Sequence, residues 1–207
     1  KIPAVDLTPF VVRQLQALKD KEVDALIQRA LGSIVNQPKP DFAQQKAKWQ
    51  KLLTPAKLKA ADANKGREFF KGTCATCHKF FGEGVDVGPD LTGSNRANLD
   101  YVLDNVLDPS AVIGKGYELN VFTMKDARVL SGIMREEGGT GYKLAMPGGV
   151  ELMLNKAEVG KREILKISVM PEGQFDALGP DVAAQLVAYL QKDAPMAVAA
   201  TGGPVSD

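Results

Sequence analysis

The sequence predicts an α+β fold in which a helical core is interrupted by a small antiparallel sheet or barrel and preceded by an N-terminal helical segment. Three observations lead there. Apolar residues recur at helical spacing up to residue 107 and again after residue 180. Between residues 117 and 168 the pattern changes to short runs separated by Gly, Asp and Asn, as strands and turns require. Gly and Pro punctuate the boundaries between these stretches.

A chain of 207 residues has room for one large domain or two small ones, since domains commonly hold about 100–150 residues. Its 44% hydrophobic and 25% charged content excludes a wholly disordered polymer. The formal charge of +1 gives no electrostatic footprint for nucleic acid or an anionic membrane surface. No apolar run approaches the roughly 20 residues of a membrane-spanning helix, so a soluble chain is expected. Residue 1 is Lys, and no signal-peptide pattern follows it; the sequence reads as a processed chain or as part of a longer one.

Residues 8–30 read as two short helices, with Val11, Leu15 and Leu18 on one and Val23, Leu26, Ile27 and Ala30 on the other, stopping at Leu31-Gly32. After the break at Gln37-Pro38-Lys39-Pro40, a helix with Phe42, Trp49 and Leu53 on one face is expected to end near Pro55. Residues 1–55 thus form an N-terminal helical segment, either a linker pair or the end of a helical repeat. A helix from Asp62 leads through Gly66 and Phe70 towards two cysteines, and a glycine-rich stretch follows. Residues 97–107 present Leu99, Val102, Leu103, Val106 and Leu107 to a core and stop at Asp108-Pro109. The runs YELNVFTM, RVLSGIMRE, YKLAM and VELMLN predict four or five strands; Lys161-Arg162-Glu163 reads as a solvated face. Residues 181–192 form an amphipathic helix with Asp181 placed to cap it, and residues 194–207 read as a flexible tail.

The chemistry lies in Cys74-Ala75-Thr76-Cys77-His78, which contains every Cys and the sole His of the chain. Two thiols separated by two residues suit thioether attachment to neighbouring haem vinyl groups, and the adjacent imidazole suits axial ligation of iron. One covalent haem c is therefore expected. The competing readings fit less well. A structural zinc site wants four ligands, and no second pair exists. A thioredoxin-like pair would open a helix after a strand. A disulfide across so short a loop gains little and leaves the His unexplained.

With His78 assigned, ligation by two histidines of this chain is impossible, leaving Met, Lys or an open site. Met124, Met134 and Met153 read as sheet core, and Met196 falls in the tail. Met170-Pro171 and Met146-Pro147 remain as loop candidates. Trp49, Tyr101, Tyr117 and Arg96 have donors for haem propionates but read more simply as packing or surface.

Gly66, Phe70, Cys74, Leu186, Tyr189 and Leu190 resemble the class I cytochrome c pattern, in which the first and last helices cross at a glycine beside aromatic side chains. Gly88-Pro89-Asp90-Leu91 resembles the loop whose proline carbonyl accepts a hydrogen bond from the haem-ligating His. The resemblance implies that role for Pro89, and it implies Met170 as the second ligand, since class I members place it before the last helix. A wider match takes in LDPSAVI, VLSGIM, ISVMPEG and LVAYL. It resembles the haem-binding domain at the C-termini of large secreted proteins of planctomycetes and verrucomicrobia, where a sheet is inserted between the haem motif and the Met loop. That resemblance implies a haem domain over residues 56–193 with the insertion at about residues 117–168. It further implies an exported or periplasmic bacterial electron carrier that performs no bond-making chemistry, paired with a redox partner protein or a neighbouring enzymatic domain. Two alternatives stand beside it: a haem enzyme or gas sensor with an open or displaceable distal site, and a docking domain in which haem is secondary.

Overall fold

The computed structural model describes residues 12, 15, 18–31, 36 and 39–196. Expectations for residues 1–11, for the stop at Gly32, for Gln37-Pro38 and for the tail from residue 197 lie outside the described residues.

Helix α1, Lys21–Leu31, begins at Asp20, whose Oδ1 accepts from the amides of Glu22 and Val23. Helix α2, Phe42–Leu52, is followed by α3, Pro55–Ala60. Helix α2 stops before Pro55 as expected, and Pro55 also opens α3: it occupies the first helical position, where its missing N–H costs nothing, and Thr54 Oγ1 accepts from the Lys57 amide at 3.3 Å. Helix α4, Ala63–Gly72, is capped by Asp62 and runs into a 3₁₀ turn at Cys74–Thr76. Helix α5, Leu99–Leu107, is capped by Asn98.

Five antiparallel strands separate α5 from the last helix: β1 Leu119–Met124, β2 Val129–Glu137, β3 Gly141–Met146, β4 Val150–Asn155 and β5 Val159–Leu165. Their spatial order is β4-β3-β2-β1-β5, so β5 crosses back to pair with β1. The sheet is curled but has edges at β4 and β5, so it is not a closed barrel. Arg162 shows the curl. It lies 5.7 Å from the ring centroid of Phe122 on β1 and 5.2 Å from that of Tyr142 on β3, and its guanidinium donates to Asn120 Oδ1 and pairs with Glu137. Arg162 is therefore half-buried as a lid on the sheet's apolar face, while Lys161 and Glu163 pair with each other at 2.9 Å on the outside.

The last helix, α6, Gln174–Leu190, starts about two turns earlier than its sequence suggests and bends at Gly179 (φ 72°, ψ 167°) before Pro180. Pro180 takes the first position of the second piece. Asp181 falls inside that turn and forms an ion pair with Lys57 at 2.6 Å, so it does not serve as the cap. Gly66 lets α4 cross α6, for a Cβ there would lie 2.0 Å from the carbonyl oxygen of Gln185. Around the crossing, Phe70, Phe80 and Tyr189 meet edge-on or tilted at 5.1–5.7 Å.

The main core joins these residues to Trp49, Leu53, Val102, Leu103, Phe175, Leu186 and Val187. Helix α2 thus contributes directly to the core of the helices that follow it. The sheet has its own cluster of Phe122, Met124, Leu144 and Leu154. Met124 and Met134 pack in or on it as expected, whereas Met153 is 68% exposed, because β4 is an edge strand and Met153 points off the covered face. Met196, expected in a flexible tail, packs on the main core. No helix among the described residues is long and apolar enough to cross a membrane.

Candidate haem site

The turn that closes α4 brings Cys74, Cys77 and His78 together. The Cys77 and His78 amides both donate to Cys74 O, at 3.0 and 2.9 Å, and Thr76 Oγ1 donates to Thr73 O at 2.6 Å. The following loop folds back over the turn. Val85 donates to Ala75 O at 3.1 Å, and Val87 and Gly88 donate to Cys77 O at 3.0 and 2.6 Å. This return needs glycine at two places. Gly84 has φ +94°, and a Cβ on it would lie 2.1 Å from His78 O; a Cβ on Gly88 would lie 2.6 Å from Cε1 of the His78 ring.

Against that bare backbone the imidazole is fixed by a 2.8 Å hydrogen bond between Nδ1 and Pro89 O. A carbonyl only accepts, so Nδ1 carries the proton and the lone pair lies on Nε2. Burial pushes the His78 pKa down, with the Pro89 bond opposing it, which favours the neutral ring that a metal requires. The Cys74 thiol is pushed up to about 12 by burial first and by the neighbouring Cys77 second. Both cysteines are free and half-buried. The pair closes α4 and is followed by a loop, whereas a thioredoxin-like pair opens a helix after a strand.

Met170 lies half-buried at a bend just before α6. Its amide donates to Ser168 Oγ at 3.1 Å, and the Ser168 amide donates to Ser110 Oγ at 3.1 Å. The neighbouring Val169 packs on the same small cluster as Cys77, formed by Val87, Ile133 and Ala145, so the Met loop and the cysteine turn share a wall. Met146 ends β3, ahead of a 3₁₀ turn at Pro147–Gly149 that touches the Cys74–Thr76 turn.

Arg96 is engaged elsewhere. Its guanidinium donates to the carbonyls of Leu91, Thr92, Leu190 and Lys192 and stacks 4.5 Å from the centroid of Phe80, closing the C-terminal end of α6. Tyr117 packs on the Val87–Ile133–Ala145 cluster with Arg135 over its ring, and Tyr101 packs on the main core. Trp49 is buried against Phe175 at 5.1 Å; its Nε1 and Gln45 Oε1 are the buried side-chain polar atoms without a partner among the described residues. The sequence reading missed Ser110, Ser168 and the buried Arg67, which pairs with Glu83 beside Tyr189. The LDPSAVI and ISVMPEG phrases, already singled out, contain Ser110 and Ser168.

The residues present fit a covalent haem: two free thiols on one turn, an imidazole held by one nitrogen with the other left available, and a glycine wall where a side chain would strike the ring. No cluster of three or more His, Cys, Asp or Glu suited to another metal ion occurs among the described residues. No curated protein matches the chain. The family model for cytochrome c matches residues 63–193, which is more than half of the sequence, and the chain therefore belongs to the cytochrome c family, whose members bind haem covalently and carry electrons.

Proposed function

We propose that the chain is an electron carrier with one haem, held through Cys74 and Cys77 and ligated by His78 and Met170. The observation that carries this reading is the Nδ1 to Pro89 O bond, which fixes the imidazole and leaves Nε2 as the available donor. When bound, haem supplies a one-electron couple between ferric and ferrous iron. Pro89 and Gly88 orient the His78 ring, and the Ser168 hydroxyl fixes the backbone of Met170. A thioether ligand favours the reduced iron and raises the potential, as suits a carrier accepting electrons from an enzyme.

The five strands between α5 and the Met170 loop are read as the insertion of the planctomycete and verrucomicrobium type, and the chain as a module of a larger exported bacterial redox protein. Ile133 and Ala145 pack on Val87, and Arg135 pairs with Asp86, which supports a role for the sheet in bracing the loop behind His78. The electron donor or acceptor is a redox protein or a neighbouring enzymatic domain.

Ferric holoprotein should show the weak far-red sulfur-to-iron charge-transfer band, and Met170→Ala should abolish it. A band that survives in Met170→Ala assigns the ligand elsewhere, with Met146→Ala the next variant to measure. A wild-type protein without the band that binds carbon monoxide rapidly when reduced is a sensor or enzyme with an open site.

A further inference from the structure

Residues 166–173 belong to no helix or strand, so no ladder fixes the backbone that carries Met170. What fixes it is a chain of hydrogen bonds that begins outside the matched residues 63–193. Asn36 Nδ2 donates to Ser110 O at 2.6 Å and to Lys166 O at 2.7 Å, while its main-chain amide donates to Ala111 O at 2.9 Å. One side chain thereby ties the segment after α5 to the segment after β5. The tie continues inward, from Ser110 Oγ to the Ser168 amide and from Ser168 Oγ to the Met170 amide. Lys39 fastens the same two segments beside it, its amide donating to Asp108 Oδ2 at 3.2 Å and its Nζ pairing with Glu172. Val12 and Ile27 pack on Ala111 and Val112 behind the tie.

We propose that Asn36 and Ser110 are positioning residues for Met170: the N-terminal segment straps the Met loop in place and sets how readily Met170 leaves the iron. This rests on the reading of Met170 as a ligand. The strap lowers the population of loop conformations in which Met170 is away, and the rate at which an external ligand enters scales with that population.

The test uses full-length holoprotein carrying Asn36→Ala, Ser110→Ala or Ser110→Thr, with carbon monoxide as the probe. One or two lost hydrogen bonds predict roughly tenfold faster carbon monoxide binding to the reduced Asn36→Ala protein. The far-red band of that variant should disappear on heating well before the helical circular dichroism melts. Ser110→Ala, which removes a single hydroxyl, should show the same separation at smaller amplitude, and Ser110→Thr should restore wild-type behaviour. If band and helix signal fall together, or if the carbon monoxide rate is unchanged while Met170→Ala still abolishes the band, the strap does not position Met170 and the proposal alone fails. A wild-type protein lacking the band removes the ligation reading and this proposal with it.

Discussion

Two cores stand side by side in this chain, and they are built differently. The helical core collects side chains from α2, α4, α5 and α6 and from the loop after the cysteines, with Trp49, Phe70, Phe80, Phe175 and Tyr189 all nearly or fully buried. The sheet's core is drawn from its own strands alone and is roofed by Arg162. The two meet at the small cluster of Val87, Ile133 and Ala145, on which Cys77 and Val169 also pack, with the Arg135–Asp86 pair and the Pro147–Gly149 turn beside it. The helical core therefore fixes the cysteine turn, and the sheet stabilises the loop behind it. Defects in the first should spread to the whole site, whereas defects in the second should stay local.

The largest effect is expected at Gly66. Valine there sets a Cβ 2.0 Å from a backbone carbonyl of α6, a clash that no side-chain rotation relieves. Gly66→Val should cost more than about 4 kcal/mol, as overpacking at a backbone contact does. Purified protein should show little helical circular dichroism and little attached haem. A variant with wild-type melting would mean that the helices do not cross at this point and that the comparison of the two cores is misdrawn.

An intermediate effect is expected at Phe122, fully buried in the sheet. Phe122→Ala should cost about 3–5 kcal/mol within that cluster. Amide exchange should accelerate in β1, β2 and β3 while the far-red band and helical melt stay within a few degrees of wild type. Loss of the band in step with the sheet would show that the Ile133 and Ala145 wall transmits the damage to the Met loop, making the two cores one cooperative unit.

What the sequence disclosed divides along the same line. The cysteine turn was legible because its ligating residues fall within five consecutive positions, whereas the Gly66 crossing and the Pro89 carbonyl came from the resemblance to class I cytochromes c. The tie at Asn36 was not legible, since its two acceptors lie 74 and 130 residues away and no periodicity records such a contact. Pro55 was legible as the end of α2 but not as the start of α3. A proline ends one helix and begins another equally well, and only the preceding residue's backbone, extended at Thr54 and left-handed at Gly179, decides which. Arg162 sat in a charged run, but the curl of the sheet placed it over two rings.

The smallest effect separates the helical core from its rim. Glu83 pairs with the buried Arg67 next to Tyr189, and that hydrogen-bonded pairing holds the Glu83 carboxyl below the usual carboxylate range. A group with a depressed folded pKa contributes stability that is present above its unfolded value, about 4.3, and is lost as pH falls through the folded one. Wild type and Glu83→Gln should therefore differ in melting temperature at neutral pH, with wild type higher by a few degrees at most because the carboxylate is partly solvated. The gap should close as the pH is lowered below about 4. Because Arg67 lies on α4, one residue beyond the Gly66 crossing, a gap that persists in acid would place the contribution in packing at the helix crossing instead of in the charge of Glu83.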